Sequence, residues 1–228
     1  MNYPDPEHLY EQLRRVPYFA DFEVATLRQL AMLVTWHEYA PGAIVFLEGD
    51  LNNGLYSVYT GWVKVVKFSM DGREQVLRYF GPGDVFNEIS IFQSQPNPAT
   101  AIALEQTVLW QLHRSVLQPL LTAQPDLLLQ VMANMAERIT YLAGMVADLS
   151  LHTVEVRLAR LLLEAATEDL LVRQSWLTQA ELAARLGTVS DVLSRALRTL
   201  AEDNLIQVDR RQILILNRPA LMQRAQLL

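Results

Sequence analysis

Two helix signals meeting at a single glycine, followed by a pair of short apolar runs, constrain this chain more than any other stretch of it. Thr178 and Glu181 have the spacing of a capping box, in which the threonine hydroxyl accepts from the third helical amide, so a helix starts there. Leu182, Ala183 and Leu186 form its buried edge, and Gly187 supplies a tight turn. A second helix is expected to begin at Thr188 or one residue later, with Thr188 and Asp191 spaced as another capping box. Its Val192, Leu193, Ala196, Leu197 and Leu200 repeat with helical period, which gathers Ser190, Asp191, Ser194, Arg195 and Arg198 on the other face. Ile206-Gln207-Val208 and Ile213-Leu214-Ile215, joined by Asp209-Arg210-Arg211-Gln212, complete the segment as a hairpin.

A polar helix face by itself is a solvated face. Here cap, glycine turn, polar-faced helix and hairpin come in order, which is the arrangement of a winged helix-turn-helix whose second helix enters a major groove of double-stranded DNA. The side-chain chemistry then assigns roles. Arg195 can fork to guanine O6 and N7, Asp191 can accept from cytosine N4, and Ser194 and Ser190 can serve as donor or acceptor. Thr178, Gln179 and Arg198 suit phosphate, as do Arg210 and Arg211 at the hairpin tip.

The formal charge of −6 runs against such a partner until it is divided along the chain. Residues 1–150 hold 9 Lys and Arg against 16 Asp and Glu, whereas residues 151–228 hold 10 against 9. The acidity belongs to the N-terminal part, and the C-terminal cations are all arginine. The absence of cysteine excludes disulfides, thiolate zinc sites, iron–sulfur clusters and cysteine nucleophiles. His8, His37, His113 and His152 are scattered without the spacing of a zinc site. There is no Gly-x-Ser-x-Gly, no Walker loop and no convincing carboxylate pair, so the chain reads as no enzyme. No run approaches the roughly 20 apolar residues of a membrane helix, and Met1 to Arg15 lack an apolar signal core; a cytoplasmic protein is expected.

Ahead of the C-terminal segment the texture changes twice. Leu9 to Leu33 reads as short amphipathic helices punctuated near Pro17 and Asp21. From Trp36 to about Val116, short β-rich runs (Ala43–Leu47, Leu55–Tyr59, Trp62–Phe68, Gln75–Phe80) alternate with glycine turns, as in an antiparallel roll. After Pro125 the period becomes helical, and Leu128, Val131, Met135, Ile139, Leu142, Val146 and Leu149 form a stripe with steps of 3, 4, 4, 3, 4 and 3. A helix over 126–151 is about 39 Å long at 1.5 Å per residue, and its apolar edge calls for a partner, most simply a second copy. A further helix is expected over Val154–Thr167 with Thr153 as its cap. The expectation is an α+β chain: helices and a β-roll over 1–125, a dimerisation helix over 126–152, and a winged helix over 153–228.

Pro41-Gly42, Glu48-Gly49-Asp50, Gly61, Gly81-Pro82-Gly83-Asp84-Val85-Phe86, Gln124-Pro125-Asp126 and the helix-turn-helix together resemble the CRP/FNR family of bacterial transcription regulators, over about residues 15–217. The resemblance implies a cyclic-nucleotide-binding-like roll (a double-stranded β-helix), a homodimer through the long helix, and sequence-specific DNA binding, with RNA polymerase as a further partner. FNR-type readers of TTGAT-like half-sites carry Glu-x-x-Ser-Arg; Asp191-Val192-Leu193-Ser194-Arg195 keeps the Ser and Arg and shortens the acid. Cyclic-AMP binders carry Gly-Glu and then an Arg-Ser or Arg-Thr pair. This chain has Asn87-Glu88 and Thr100-Ala101 with no Arg in the stretch between, and Leu142-Ala143 where those binders place Thr-Ser against adenine. An unpaired buried phosphate costs several kcal/mol, which argues against cyclic AMP and leaves haem, a small apolar effector, or none. The run from Pro96-Asn97 to Ala99-Thr100-Ala101 resembles the haem-dependent nitric-oxide-sensing branch, with His113 and His152 as candidate axial ligands. The other functional class that fits is a ligand-binding roll acting through protein contacts instead of DNA.

Overall fold

The computed structural model describes residues 6–14, 16, 19, 22–51, 54–93, 95–123 and 125–227. Pro17, Asp21 and Gln124 lie outside them. The chain divides into two compact units, one of residues 1–67 and 77–140, the other of residues 68–76 and 141–228. The division falls inside the long helix, between Thr140 and Tyr141.

The first unit opens with α1 (Pro6–Leu13) and α2 (Val24–Leu33); α2 buries Leu27, Leu30 and Ala31, the i, i+3, i+4 face its spacing predicts. Eight strands follow: β1 (Thr35–Tyr39), β2 (Ile44–Phe46), β3 (Gly54–Thr60), β4 (Val63–Phe68), β5 (Glu74–Phe80), β6 (Val85–Phe86), β7 (Thr100–Ala103) and β8 (Thr107–His113). They form two four-stranded sheets, in the orders β1-β8-β3-β6 and β2-β7-β4-β5. In β8 the alternation of side chains explains a nearly continuous apolar run. Leu109 joins the core between the sheets, while Trp110 and Leu112 face the opposite core with Phe19, Leu27 and Leu30. Between the sheets, Phe86 sits with its ring centroid 5.4 Å from that of Tyr56, 5.2 Å from Phe80 and 6.2 Å from Phe46. Gly61 has φ +85°, and a Cβ there would lie 2.6 Å from the carbonyl oxygen of Gln106, so only glycine fits this turn.

After β6 come α3 (Ile89–Phe92) and, following β8, α4 (Arg114–Ala123), which buries Leu117 and Leu121 and contains Pro119. α5 (Pro125–Leu151) is the expected long helix. Its expected stripe is corrected at the N-terminal end. Val131 is 5% exposed within a single chain, and Leu128 and Met135 pack against the same core as Trp110 and Leu117. That edge is covered by its own unit. Ile139, Leu142 and Val146 remain exposed, and Leu149 is half-buried.

The second unit contains α6 (Val154–Ala165), β9 (Leu170–Val172), α7 (Gln179–Arg185), α8 (Ser190–Glu202), β10 (Ile206–Val208), β11 (Gln212–Ile215) and α9 (Arg218–Arg224). Thr153 caps α6, its side chain accepting from the amide of Val156, and the helix ends two residues before the expected Thr167. β11 pairs antiparallel with β10 (Val208 opposite Ile213) and, on its other edge, with β9 (Ile213 opposite Leu171). Leu158, Leu162, Leu193, Leu200, Ile213 and Leu221 form the fully buried centre. Arg224 on α9 ties the unit together by pairing with both Glu155 and Asp203.

Candidate nucleic-acid interface

α7 starts where the sequence placed it. Thr178 Oγ1 accepts from the Glu181 amide at 3.2 Å, closing the cap on the threonine side. Thr178→Ala leaves that amide without its partner and is expected to cost about 1 kcal/mol, read as a lower denaturant midpoint with unchanged slope. Gly187, at φ +62°, makes the turn. The second capping box does not form: Val189 is the N-cap of α8 and offers no side-chain acceptor.

α8 is two-sided. Leu193, Ala196, Leu197 and Leu200 are buried in the unit's core, and Asp191, Arg195 and Arg198 are exposed on the opposite face, with Ser190 and Ser194 half-buried between. Ser194 Oγ donates to the Ser190 carbonyl at 2.7 Å and accepts from Gln179 Nε2 at 2.5 Å, so α7 and α8 share one polar patch. This Gln179–Ser194 bridge was not legible in the sequence, since it joins residues of two helices. Among the described residues, the guanidinium of Arg195 makes only a 3.5 Å contact to the Asp191 carbonyl. Arg198, and Arg210 and Arg211 in the exposed turn between β10 and β11, have no side-chain hydrogen bond or ion pair among the described residues. Cations held at a surface without protein partners are free to meet phosphate or base edges.

In the first unit, Asn87 adopts φ +69°, a left-handed conformation that asparagine tolerates better than most residues, and its Nδ2 donates to the Gly54 carbonyl at 3.0 Å. Glu88, 3% exposed, is gripped by both ends of the Arg138 guanidinium, at 2.6 Å and 2.5 Å. Arg138 also donates to the Val85 carbonyl at 2.8 Å and lies over the Phe80 ring at 5.6 Å. The guanidinium beside Glu88 thus comes from α5 and is engaged by that carboxylate. The sequence signal was that Arg138 is the sole basic residue in that helix. Thr100 is buried, with Oγ1 accepting from the Glu48 amide at 3.0 Å. Leu142 and Ala143 belong to the second unit, as exposed residues of α5. His113 is exposed at the end of β8, and His152 lies 3.8 Å from Asp148. No helix among the described residues is long and apolar enough to cross a membrane.

Comparison with known proteins places this geometry. Residues 36–124 match the cyclic nucleotide-binding domain, and residues 156–224 match the Crp-like helix-turn-helix domain. The chain is 32% identical to the cyclic AMP receptor protein of Thermus thermophilus over 175 residues, 75% of this chain and 78% of that protein. It is 29% identical to the CRP-like cAMP-activated global transcriptional regulator of Mycobacterium tuberculosis over 222 residues, 94% and 99% of the two chains. The FixK2 structure from Bradyrhizobium japonicum superposes with a TM-score of 0.73 at 24% identity, covering 83% of this chain and 96% of that one. A cyclic-nucleotide-binding-type roll, a Crp-like helix-turn-helix with an uncommitted arginine face, and relatives of this similarity lead to one assignment: the chain is a DNA-binding transcription regulator and belongs to the CRP/FNR family.

Proposed function

We propose that two copies of this chain bind a palindromic TTGA-like duplex site, reading bases with Ser190, Asp191, Ser194 and Arg195. Thr178, Gln179, Arg198, Arg210 and Arg211 hold phosphate. The two-sided α8 carries this reading: its apolar face is spent on the core, and its exposed face carries two arginines with no ion pair among the described residues. A duplex with two TTGA half-sites one helical turn apart, about 34 Å, should give a discrete mobility-shifted complex that a scrambled duplex does not compete away. Equal competition would leave the C-terminal unit as a protein-docking module.

The dimer seam we propose keeps Ile139 and Val146 of the stripe that the sequence suggested and replaces Leu128, Val131, Met135 and Leu142 by the residue after each. Leu129, Met132, Ala136, Ile139, Ala143 and Val146 are all exposed on α5, with steps of 3, 4, 3, 4 and 3. Such a heptad edge is matched by an identical copy, and its alanines allow close approach. Ile139 and Val146, 68% and 63% exposed, have the most area to bury. Truncating either to Ala is expected to weaken the dimer about tenfold, or about 1.4 kcal/mol. Sedimentation equilibrium reads this directly; unchanged dissociation in both variants would refute the seam.

DNA binding is proposed to be independent of cyclic AMP. The Glu88 carboxylate is already engaged by Arg138, the Thr100 hydroxyl by the Glu48 amide, and residues 86–101 supply no guanidinium for a phosphate. The interior between the sheets is apolar, with Phe46, Tyr56, Phe80 and Phe86 packed in it, so the effector class proposed is haem or a small apolar molecule, acting by shifting how α8 is presented. Calorimetric titration with cyclic AMP should show no saturable binding, and a Soret band in the protein as purified would identify haem.

A further inference from the structure

Within the second unit, the C-terminal half of α5, the middle of α6 and the end of α7 line a half-open cavity of about 260 Å³. Its walls are apolar at Tyr141, Met145, Leu149, Leu161 and Leu186, and its charges are three arginines against two carboxylates. The carboxylates are Asp148 and Glu164. Asp148 is neutralised by Arg160 at 2.5 Å, and Arg160 Nε is spent on the Ala225 carbonyl at 2.8 Å. Arg157 is different. Its Nη1 caps the Leu149 carbonyl at 3.2 Å, but its Nε is buried and has no hydrogen-bond partner among the described residues. Arg157 also makes no ion pair among the described residues, so its guanidinium in the lining is left to an outside anion.

We propose that this cavity binds a small organic monocarboxylate with an aromatic or branched apolar body, its carboxylate pairing with the Arg157 guanidinium and its body lying against Tyr141, Met145 and Leu149. Three observations converge on that class. The lining holds one positive charge in excess, its Arg157 has no ion pair among the described residues and carries a planar fork that matches a carboxylate, and its remaining surface is apolar. Burial also holds the Arg157 guanidinium below its ordinary pKa, against the opposing pull of Asp148, and a bound anion would reverse that penalty.

The site stays open in the proposed dimer. At 100° per residue, Tyr141, Gly144, Met145 and Asp148 share one face of α5, and Ile139, Ala143 and Val146 lie on the opposite one. Arg185 and Leu186 lead straight into the Gly187 turn, so a ligand wedged between α5 and the end of α7 would brace the first helix of the DNA-reading pair. That regulatory consequence rests on the DNA-binding reading; the binding step does not.

The test titrates DNA-free full-length protein with phenylacetate, isovalerate, neutral 2-phenylethanol and inorganic phosphate, by calorimetry and melting temperature. Phenylacetate or isovalerate should bind saturably, one per chain, and raise the melting temperature. 2-Phenylethanol should bind at least tenfold more weakly, and phosphate should not compete. Arg157→Met should abolish binding. Gly144→Phe should do so independently, since a Cβ at Gly144 meets nothing within 4 Å and the added ring can occupy the cavity in a folded chain. Absence of saturable binding by either carboxylate, equal affinity for 2-phenylethanol, competition by phosphate, or undiminished binding in both variants would each overturn the site. A mobility shift without ligand tests DNA binding separately. If carboxylate binding leaves operator affinity within twofold, the regulatory consequence is wrong.

Discussion

Replacing Arg138 with Leu is expected to destabilise the first unit by about 3 kcal/mol, more than any surface change elsewhere on α5. Glu88 is 3% exposed, so removing the Arg138 guanidinium leaves a buried carboxylate without that counter-charge. The same substitution removes the donor to the Val85 carbonyl and the cation over the Phe80 ring. The pair itself does not account for the size of the loss. A buried ion pair returns in Coulomb energy roughly what its desolvation costs, whereas a single buried charge returns nothing. The value falls toward the lower end of the range for broken buried pairs, because the Arg138 side chain is 30% exposed and water can approach its side of the contact. Urea unfolding of four proteins (parent, Arg138→Leu, Glu88→Leu, and the double variant) separates these effects. The double variant should recover most of the stability that Arg138→Leu loses, since it leaves no charge behind. If Arg138→Leu falls within 1 kcal/mol of the parent, the bidentate grip on Glu88 does not hold α5 to the roll.

How legible such features were in the sequence depended on the distance along the chain over which each is determined. Thr178 and Glu181, Gly187, and the apolar period from Leu193 to Leu200 are local signals, and the structure places all of them as read. The strands between Ile44 and Phe80 are bounded by glycine turns and were placed to within one or two residues. β9 was missed because Leu170–Val172 is three residues long and acquires its conformation from β11, some forty residues away. α4 was hidden by Pro119, the sixth residue of the helix, which breaks the helical signal. α5 shows the limit of periodicity. It carries two apolar edges one residue apart, Leu128-Val131-Met135 and Leu129-Met132-Ala136, and nothing in their spacing says which one the helix's own core will cover. Glu88 and Arg138 stand fifty residues apart, and pattern alone does not join them.

Arg195→Ala and Arg198→Ala should part company on DNA, although both remove an exposed arginine from the same helix face. Arg195 follows Asp191 by one turn, with Ser194 beside it, and that places it among the groups proposed to reach base edges. Losing a bidentate contact to guanine should cost about 1–3 kcal/mol at the TTGA-like site and little on a scrambled duplex, so the ratio of specific to non-specific affinity collapses. Arg198, three residues further toward the C-terminus and proposed to meet phosphate, should weaken both duplexes alike. Its removal should also lower the slope of log affinity against log salt by about one, because one fewer counterion is released. The acidic N-terminal part makes the salt series informative, since the chain's overall charge is −6 and any steep slope must come from local arginines. Titrations of each variant on both duplexes at several salt concentrations give all four quantities. If Arg195→Ala lowers both affinities equally while Arg198→Ala erases base preference, α8 lies in the groove turned about its axis from the orientation proposed here.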